Sequence, residues 1–280
     1  MNYVKADYGG LDYFPCRYGT SKLLFRGPRR RMDGDYVAFL GGTETYGKFI
    51  DAPFPALTEV ETGLRSINLG CVNAGLDVYH NDTSLLEICN HARATVIQVM
   101  GAQNMTNRFY AVHPRRNDRF LKASQMLEAI YPDVDFTDFS FTRHLVQSLA
   151  EISFDKFLIL VEELKEAWVG RMRSLLSQID GPVVLLWMSD KAPSEVKETD
   201  PEAQDPVFVD RAMIDALSDL SPIWIEVAAT EIERYHGLEE MYFAEPERAA
   251  AEEMLGPLVH QRTAKALAPV LTQFATAPPQ

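Results

Sequence analysis

The sequence YVAFLGGTETYGKF, residues 36–49, decides the fold class of this chain. An apolar run from Val37 to Leu40 ends at two glycines, and polar residues follow. A short and almost purely apolar run predicts a strand that is covered on both faces. The glycines predict a tight turn at the edge of a sheet, where α/β proteins place their functional groups.

Four more apolar runs predict strands of the same kind. They lie at 66–72, 96–100, 183–188 and 222–228. Between them, apolar residues recur three and four positions apart, as in helices. These patterns predict helices at 56–63, 83–93, 119–130, 142–151, 154–179, 206–219, 246–255 and 257–274. Alternating strands and helices predict an α/β fold, namely a three-layer α/β/α, flavodoxin-like, doubly wound sheet of about five parallel strands.

We expect one domain over residues 1–280, because the chain is long for one domain and short for two. Residues 1–36 show no regular pattern and are expected to wrap around the core. The acidic, proline-containing segment 191–206 is expected to be a surface loop at the carboxyl edge of the sheet. Residues 275–280 are expected to form a frayed tail.

The composition excludes several classes of function. The formal net charge is −13, which argues against a nucleic-acid-binding protein. No apolar run approaches the length of a membrane span, and the N-terminus lacks a signal-peptide pattern. The three cysteines are isolated, as reduced thiols in the cytoplasm are. We therefore expect a soluble cytoplasmic protein with no nucleic-acid or membrane partner, and the oligomeric state stays open.

The turn after the first strand fits a phosphate-binding loop only in part. Residues 42–48, GTETYGK, match G-x-x-x-x-G-K, but Phe49 stands where Ser or Thr would bind magnesium. Such a loop must also lead into a helix, and Pro53 and Pro55 would interrupt a helix that began at Gly47. The sequence therefore argues against a nucleotide hydrolase.

The same turn also fits a nucleophile motif, in which a strand ends in G-D-S-x-[ST]-x-G with the serine at the sheet edge. Four blocks follow this pattern in order: GGTETYG (41–47), NLGCVNAGLD (68–77), GAQN (101–104) and PLVHQRTAKALAPVL (257–271). In these blocks the chain resembles the SGNH (GDSL) hydrolase superfamily. Three other segments are similar to an uncharacterised alphaproteobacterial domain family that implies no activity: YFPCRY (13–18), LLFRGPRR (23–30) and VHPRRNDRF (112–120).

The SGNH resemblance assigns roles to particular residues. Thr43 falls at the nucleophilic serine and His260 at the base that would deprotonate it. The remaining candidates fall at positions that form the oxyanion hole or bind the substrate: Gly42, Asn73, Gly75, Gly101, Gln103 and Asn104. Pro257 replaces the aspartate that orients the histidine, so a backbone carbonyl or a carboxylate such as Asp190, Glu252 or Glu253 would have to substitute for it.

Two functions remain open for this degenerate site. The first is an esterase or acyltransferase that acts on an anionic or carbohydrate-linked ester through Thr43 and His260. The second is a catalytically inactive SGNH-like protein that binds an anionic or sugar ligand. In both hypotheses the partner is a small molecule or glycan.

Two segments carry most of the positive charge, FRGPRRR (25–31) and NRFYAVHPRRNDRF (107–120). In the second, Arg115, Arg116 and Arg119 are candidates for binding an anion, unless they pair with acidic residues of the chain. The remaining histidines, His80, His91, His144 and His236, lack the spacing of metal ligands. We therefore expect no metal and no cofactor.

Overall fold

The computed structural model describes residues 10–195 and 199–275 of the chain. In order, the strands are β1 (Tyr36–Leu40), β2 (Arg65–Asn68), β3 (Ala94–Gln98), β4 (Tyr110–His113), β5 (Arg116–Ala123), β6 (Val183–Ser189) and β7 (Ile223–Ala228). Five of them form one sheet in the order β2-β1-β3-β6-β7, and all neighbours in it are parallel. The predicted doubly wound sheet is thereby confirmed.

The helices connect these strands and cover the sheet. They are α1 (Thr43–Tyr46), α2 (Phe54–Thr62), α3 (Asp77–His80), α4 (Thr83–Asn90), α5 (Gln125–Ile130), α6 (Thr142–Ile152), α7 (Phe154–Leu176), α8 (Arg211–Asp215), α9 (Glu231–Tyr235), α10 (Arg248–Glu252) and α11 (Pro257–Ala275). Short 3₁₀ turns lie at Phe136–Asp138, Ser218–Leu220 and Glu245–Glu247.

Side chains of the strands alternate between two buried cores, because successive residues of a strand point to opposite faces. In β1, Phe39 packs with Phe54 and Leu267 in the core under α2 and α11. Its neighbour Leu40 faces the other, larger core, which includes Trp168 of α7. Helices therefore cover both faces of the sheet, which confirms the three layers.

The predicted helix at 119–130 is wrong over its first part. Residues 116–123 form β5, which pairs antiparallel with β4, and the helix begins only at Gln125, capped by Ser124. The reason is tertiary: Asn117 is fully buried, and its side-chain oxygen accepts hydrogen bonds from the backbone N–H groups of Gly75 and Val78. Local periodicity does not reveal such partners.

Other elements are shorter than predicted. The second strand ends at Asn68, not at residue 72, because the Asn68 side chain turns back to bond Thr45 O and Gly70 N. The predicted helix 206–219 reduces to α8, which starts after its cap Asp210, and helix 246–255 reduces to α10. Each range also overlaps a 3₁₀ turn.

The segments outside the sheet bear on the remaining expectations. Residues 10–35 contain no helix and one isolated bridge, between Cys16 and Phe25. Arg26 donates hydrogen bonds to the carbonyl groups of Gly47 and Ile50, which attaches this segment to the turn after β1. Residues 1–9 and all but Ala275 of the predicted tail lie outside the described residues. In the parts that are described, no helix is both long and apolar enough to cross a membrane.

Candidate functional site

A cavity of about 490 Å³ opens at the carboxyl edge of the sheet. Its wall consists of the segments that follow β1, β2, β3 and β6, together with parts of α6, of the loop 203–207 and of residues 250–255. Seven residues singled out from the sequence lie in this wall: Gly42, Thr43, Asn73, Gln103, Asn104, Asp190 and Glu253. The other candidates, Gly75, Gly101, His260, Arg115, Arg116 and Arg119, are not among the residues that line it.

The turn after β1 is fixed by Gln98, the last residue of β3. The buried Gln98 Oε1 accepts three hydrogen bonds: from Gly42 N at 3.1 Å, from Thr45 N at 3.1 Å and from Thr45 Oγ1 at 2.6 Å. Gly47 then ends α1 in a left-handed conformation, with φ of 75°. Because Gly47 and Lys48 follow a helix and do not begin one, the turn cannot act as a phosphate-binding loop.

Thr43 forms a closed pair with Asn73. Its hydroxyl donates to Asn73 Oδ1 at 3.2 Å and accepts from Asn73 N at 3.0 Å. The Asn73 Nδ2 in turn donates to Asp118 Oδ2 at 3.4 Å. In the described part of the chain, both hydrogen-bond partners of the Thr43 hydroxyl thus belong to Asn73. An amide oxygen is a poor proton acceptor, so this arrangement does not activate the hydroxyl.

His260 lies behind the cavity wall and is fully buried. Its Nδ1 accepts a hydrogen bond from Phe54 N at 3.1 Å, and its ring stacks on Phe54. Its Nε2 lies 3.3 Å from Glu44 Oε2 without forming a well-aligned hydrogen bond. The carboxylate beside this histidine is therefore Glu44, and not one of the three candidates at positions 190, 252 and 253.

Glu44 is a residue that sequence reasoning missed. It lines the cavity, and its Oε1 accepts a hydrogen bond from Leu255 N at 3.0 Å. Its place beside Thr43 was visible in the sequence, but its contact with His260 joins two distant parts of the chain. Only the packing of α11 against α2 brings these parts together.

The loops after β2 and β3 use several of the expected oxyanion donors internally. Gly75 N donates to Asn117 Oδ1 at 3.1 Å. A side chain at Gly75 would lie 1.6 Å from the carbonyl oxygen of Asn104, so glycine is required by packing. Asn104 Oδ1 accepts a hydrogen bond from the Thr142 hydroxyl at 2.6 Å.

Gln103 and Asp205 form the opposite wall. Gln103 Nε2 donates to Asp205 Oδ1 at 3.2 Å, whereas Gln103 Oε1 is buried and has no hydrogen-bond partner among the described residues. Asp205 lines the cavity and is exposed as a residue, although protein groups around its carboxyl limit the access of water. This loss of water contact raises the pKa of Asp205, against the opposing effect of the Gln103 hydrogen bond.

Asp205 belongs to the segment expected to be a surface loop at this edge. Residues 203–205 of that segment line the cavity, so part of it forms the site and does not only cover the surface. Its acidic composition could have suggested this role. The sequence contains no signal, however, for the pairing of Asp205 with Gln103.

The arginines at positions 115, 116 and 119 are not among the residues that line the cavity. Arg115 and Arg116 are exposed on the β4–β5 hairpin, and Arg119 places its guanidinium 4.8 Å from the ring centre of Phe141. None of the three forms an ion pair within the described residues. Their role in binding an anion stays a prediction. His144 of α6, in contrast, lines the cavity, although its sequence context gave no reason to select it.

Comparison with known proteins places the chain in a family. The chain belongs to the family described as a domain of unknown function (DUF6473), which matches residues 1–275. The expectation of an uncharacterised domain family is thereby confirmed, and an alphaproteobacterial source stays a prediction. No curated protein matches the chain.

Two solved structures are similar to this fold at low identity. One is described as a GDSL-like lipase from Parabacteroides merdae, with 10% identity, 88% of this chain and 100% of that chain covered, and a TM-score of 0.41. The other is a gut microbial diltiazem-metabolizing enzyme, with 10% identity, 87% of this chain and 48% of that chain covered, and a TM-score of 0.40. Similarities at this level carry no argument about chemistry, which has to come from the cavity itself.

Proposed function

We propose that this protein binds a small polar molecule in the cavity at the carboxyl edge, and that it is an SGNH-like protein without acyl transfer through Thr43 and His260. The observation that carries the proposal is the position of His260. Both of its ring nitrogens face groups other than Thr43, namely the Phe54 N–H and the Glu44 carboxylate.

A nucleophilic hydroxyl needs a base within hydrogen-bond reach. Because Nδ1 of His260 accepts the Phe54 N–H, the proton of a neutral ring resides on Nε2. That nitrogen faces Glu44, so neither nitrogen is free to take a proton from Thr43. Loss of the base removes catalysis but leaves the cavity able to bind, since binding and rate depend on different groups.

The expected oxyanion donors support the same conclusion. The N–H of Gly42 donates to Gln98, that of Asn73 to Thr43, and that of Gly75 to Asn117. Donors that are already bonded cannot stabilise a developing oxyanion without breaking these bonds. The motif residues therefore support the wall of a binding cavity.

The charge of the wall favours the sugar ligand over the anionic one. Among the described residues, five carboxylates line the cavity: Glu44, Asp118, Asp190, Asp205 and Glu253. The cationic side chains there are Lys48 and Arg143, and Arg143 pairs with Glu253 at 2.7 Å. A negatively charged ligand would meet repulsion at such a surface, whereas hydroxyl groups would find acceptors.

Ester turnover by Thr43 variants tests the proposal. We expect the wild type, Thr43→Ala and Thr43→Ser to hydrolyse a panel of short and long acyl esters at the same low background rate. In parallel, neutral hexoses should raise the melting temperature of all three proteins. Turnover that disappears in Thr43→Ala would overturn the proposal, and so would a large gain of turnover in Thr43→Ser.

A second candidate function, ester hydrolysis, is favoured by one observation. Glu44 follows Thr43 and lies at the cavity surface. Its carboxylate is positioned by the hydrogen bond from Leu255 N and by its contact with His260. A carboxylate in this position is able to serve as a general base for water. If Glu44→Gln abolishes an ester turnover that Thr43→Ala retains, this second function is the correct one.

A further inference from the structure

We propose that the cavity selects a small hydroxylated molecule that carries a protonated amine, and that Gln103 and Asp205 form the subsite for this amine. The proposal rests on the proposed binding function and adds the chemical class of the ligand. It follows from an oxygen of Gln103 that accepts no hydrogen bond, a carboxylate of Asp205 that forms no ion pair within the described residues, and the absence of a side chain at Gly101.

The open acceptor is Gln103 Oε1. The Gln103 side chain lines the cavity, and the residue is 6% exposed, while its Oε1 lacks a hydrogen-bond partner among the described residues. A buried carbonyl oxygen without a donor is unfavourable, and a ligand that brings a donor removes this cost. The subsite therefore needs a donor, which a carboxylate or phosphate cannot supply.

The carboxylate beside it is Asp205. It accepts hydrogen bonds from Gln103 Nε2 at 3.2 Å and from Val207 N at 3.4 Å, and neither partner carries a charge. The Glu253 carboxylate differs, since the guanidinium of Arg143 neutralises it. Arg143 attracts the Asp205 carboxyl from a distance but forms no ion pair with it in the described residues, so a protonated amine would be its first charged hydrogen-bond partner there.

Gly101 makes the subsite possible. A methyl group at this position would lie 2.2 Å from Gln103 Oε1 and 2.7 Å from Asp205 Oδ1. Both oxygens therefore occupy the space that a side chain would take, which brings an acceptor of Gln103 and one of Asp205 close together beside Gly101. Two converging acceptors suit an ammonium group, because it has three donors and no acceptor.

The rest of the wall offers further acceptors for hydroxyl groups. Asp190 follows β6 and lines the cavity. Within the described residues its carboxylate accepts one hydrogen bond, from Ser189 Oγ at 3.2 Å. Asp118 and Glu44 lie elsewhere in the same wall. A volume of about 490 Å³ accommodates a molecule of the size of a monosaccharide with its water.

The test uses three sugars that share a ring but differ in charge: glucosamine, glucose and glucuronate. Binding is measured by titration calorimetry and by thermal shift at neutral pH, in low and in high salt. We expect glucosamine to bind at least tenfold more tightly than glucose, and glucuronate not to bind. The preference for glucosamine should shrink in high salt, because added ions screen the attraction.

Two variants assign the preference to the subsite. Asp205→Asn keeps a hydrogen-bond acceptor for Gln103 but removes the charge, and should abolish the advantage of glucosamine over glucose. Glu202→Gln removes one negative charge from the same loop at an exposed position outside the cavity wall, and should leave the advantage unchanged. Circular dichroism of both variants checks that they are folded.

The outcomes separate this inference from the proposed function. Equal binding of glucosamine and glucose, or tighter binding of glucuronate, overturns the amine subsite and leaves the binding function in place. A preference for glucosamine that survives in Asp205→Asn also overturns the subsite. If none of the three sugars binds, and no cationic, neutral or anionic member of a size-matched fragment set does, both the subsite and the binding function are wrong.

Discussion

The two walls of the cavity differ in how completely their polar groups are bonded. On the β1 side, Gln98 Oε1 accepts three hydrogen bonds from the turn, and Thr43 is bonded to Asn73 in both directions. On the β3–β6 side, Gln103 Oε1 has no partner in the described part of the chain, and Asp205 has only uncharged ones. The wall that carries the nucleophile-like motif is thus internally bonded, and we call it the supported wall. The opposite wall, with Gln103 and Asp205, retains groups that can bind a ligand, and we call it the open wall.

The largest effect on stability should come from removing the Gln98 side-chain oxygen, which bonds the turn of the supported wall. Gln98→Leu would leave two backbone N–H groups and the Thr45 hydroxyl without their buried acceptor. Since each unsatisfied buried group costs about 1–3 kcal/mol, we expect the free energy of unfolding to fall by about 3 kcal/mol or more. Urea unfolding measures this loss.

Gln98→Glu serves as the matched control for that variant. It keeps an oxygen acceptor of the same length, so it should lose clearly less stability than Gln98→Leu. Equal losses in the two variants would mean that the three hydrogen bonds are not what holds the turn.

Two glycines permit a direct comparison of the walls. A methyl group at Gly41 would lie 2.1 Å from Thr45 Oγ1 and 2.7 Å from Gln98 side-chain atoms, which the hydrogen bonds hold in place. At Gly101 it would meet Gln103 Oε1, Asp205 Oδ1 and Val207 N. The Gln103 oxygen accepts no hydrogen bond in the described residues, and only the Nε2 of that side chain is bonded, to Asp205. We expect the free energy of unfolding to fall by about 3 kcal/mol in Gly41→Ala and by about 1–2 kcal/mol in Gly101→Ala. The main effect of Gly101→Ala should be the loss of ligand binding.

Gly170→Ala is the control for this pair. Gly170 is exposed in α7, and nothing lies within 4 Å of the position of an added methyl group. The substitution should raise the free energy of unfolding by about 0.5–1 kcal/mol, because alanine favours helix more than glycine does. If Gly101→Ala lowered the free energy of unfolding more than Gly41→Ala does, the distinction between the supported wall and the open wall would be wrong.

Thr43→Ala probes the supported wall at its surface. The variant removes one acceptor for Asn73 N and one donor to Asn73 Oδ1 at a partly exposed site. Water can replace both partners there, so we expect a loss of only about 1 kcal/mol. Thr43→Ser retains the hydroxyl, so its melting temperature should lie closer to that of the wild type than the melting temperature of Thr43→Ala does. The opposite order would show that the methyl group of Thr43 contributes more to stability than its hydroxyl.

The sequence was sufficient for the sheet but not for its additions. Runs such as Val37–Leu40 are continuous in hydrophobicity, and only a sheet covered on both faces buries them. The β4–β5 hairpin escaped prediction because Asn117, a polar residue, is buried by its bonds to Gly75 and Val78. A pattern of apolar residues does not record this kind of burial.

The same limit applies to the site. Thr43, Asn73 and Gln103 could be predicted to converge, because they follow strands whose carboxyl ends share one edge. Which hydrogen bonds they form could not be predicted, since Gln98 and Asp205 act through side-chain directions set by tertiary packing. The sequence therefore indicated the place of the cavity, and the structure separated its supporting wall from its open one.

The smallest expected effect concerns the pH dependence of the open wall. Burial raises the pKa of Asp205 above its usual value of 3.8, so the folded protein retains this proton to a higher pH than the unfolded chain does. Stability from this group is therefore present below pH 3.8 and decreases as pH rises toward the folded-state pKa. Urea unfolding across this range should show a decline in the wild type that Asp205→Asn lacks and Glu202→Gln keeps. Parallel stability curves for the wild type and Asp205→Asn would show that the Asp205 carboxyl is not deprived of water, and the contrast between the two walls would then rest on Gln103 alone.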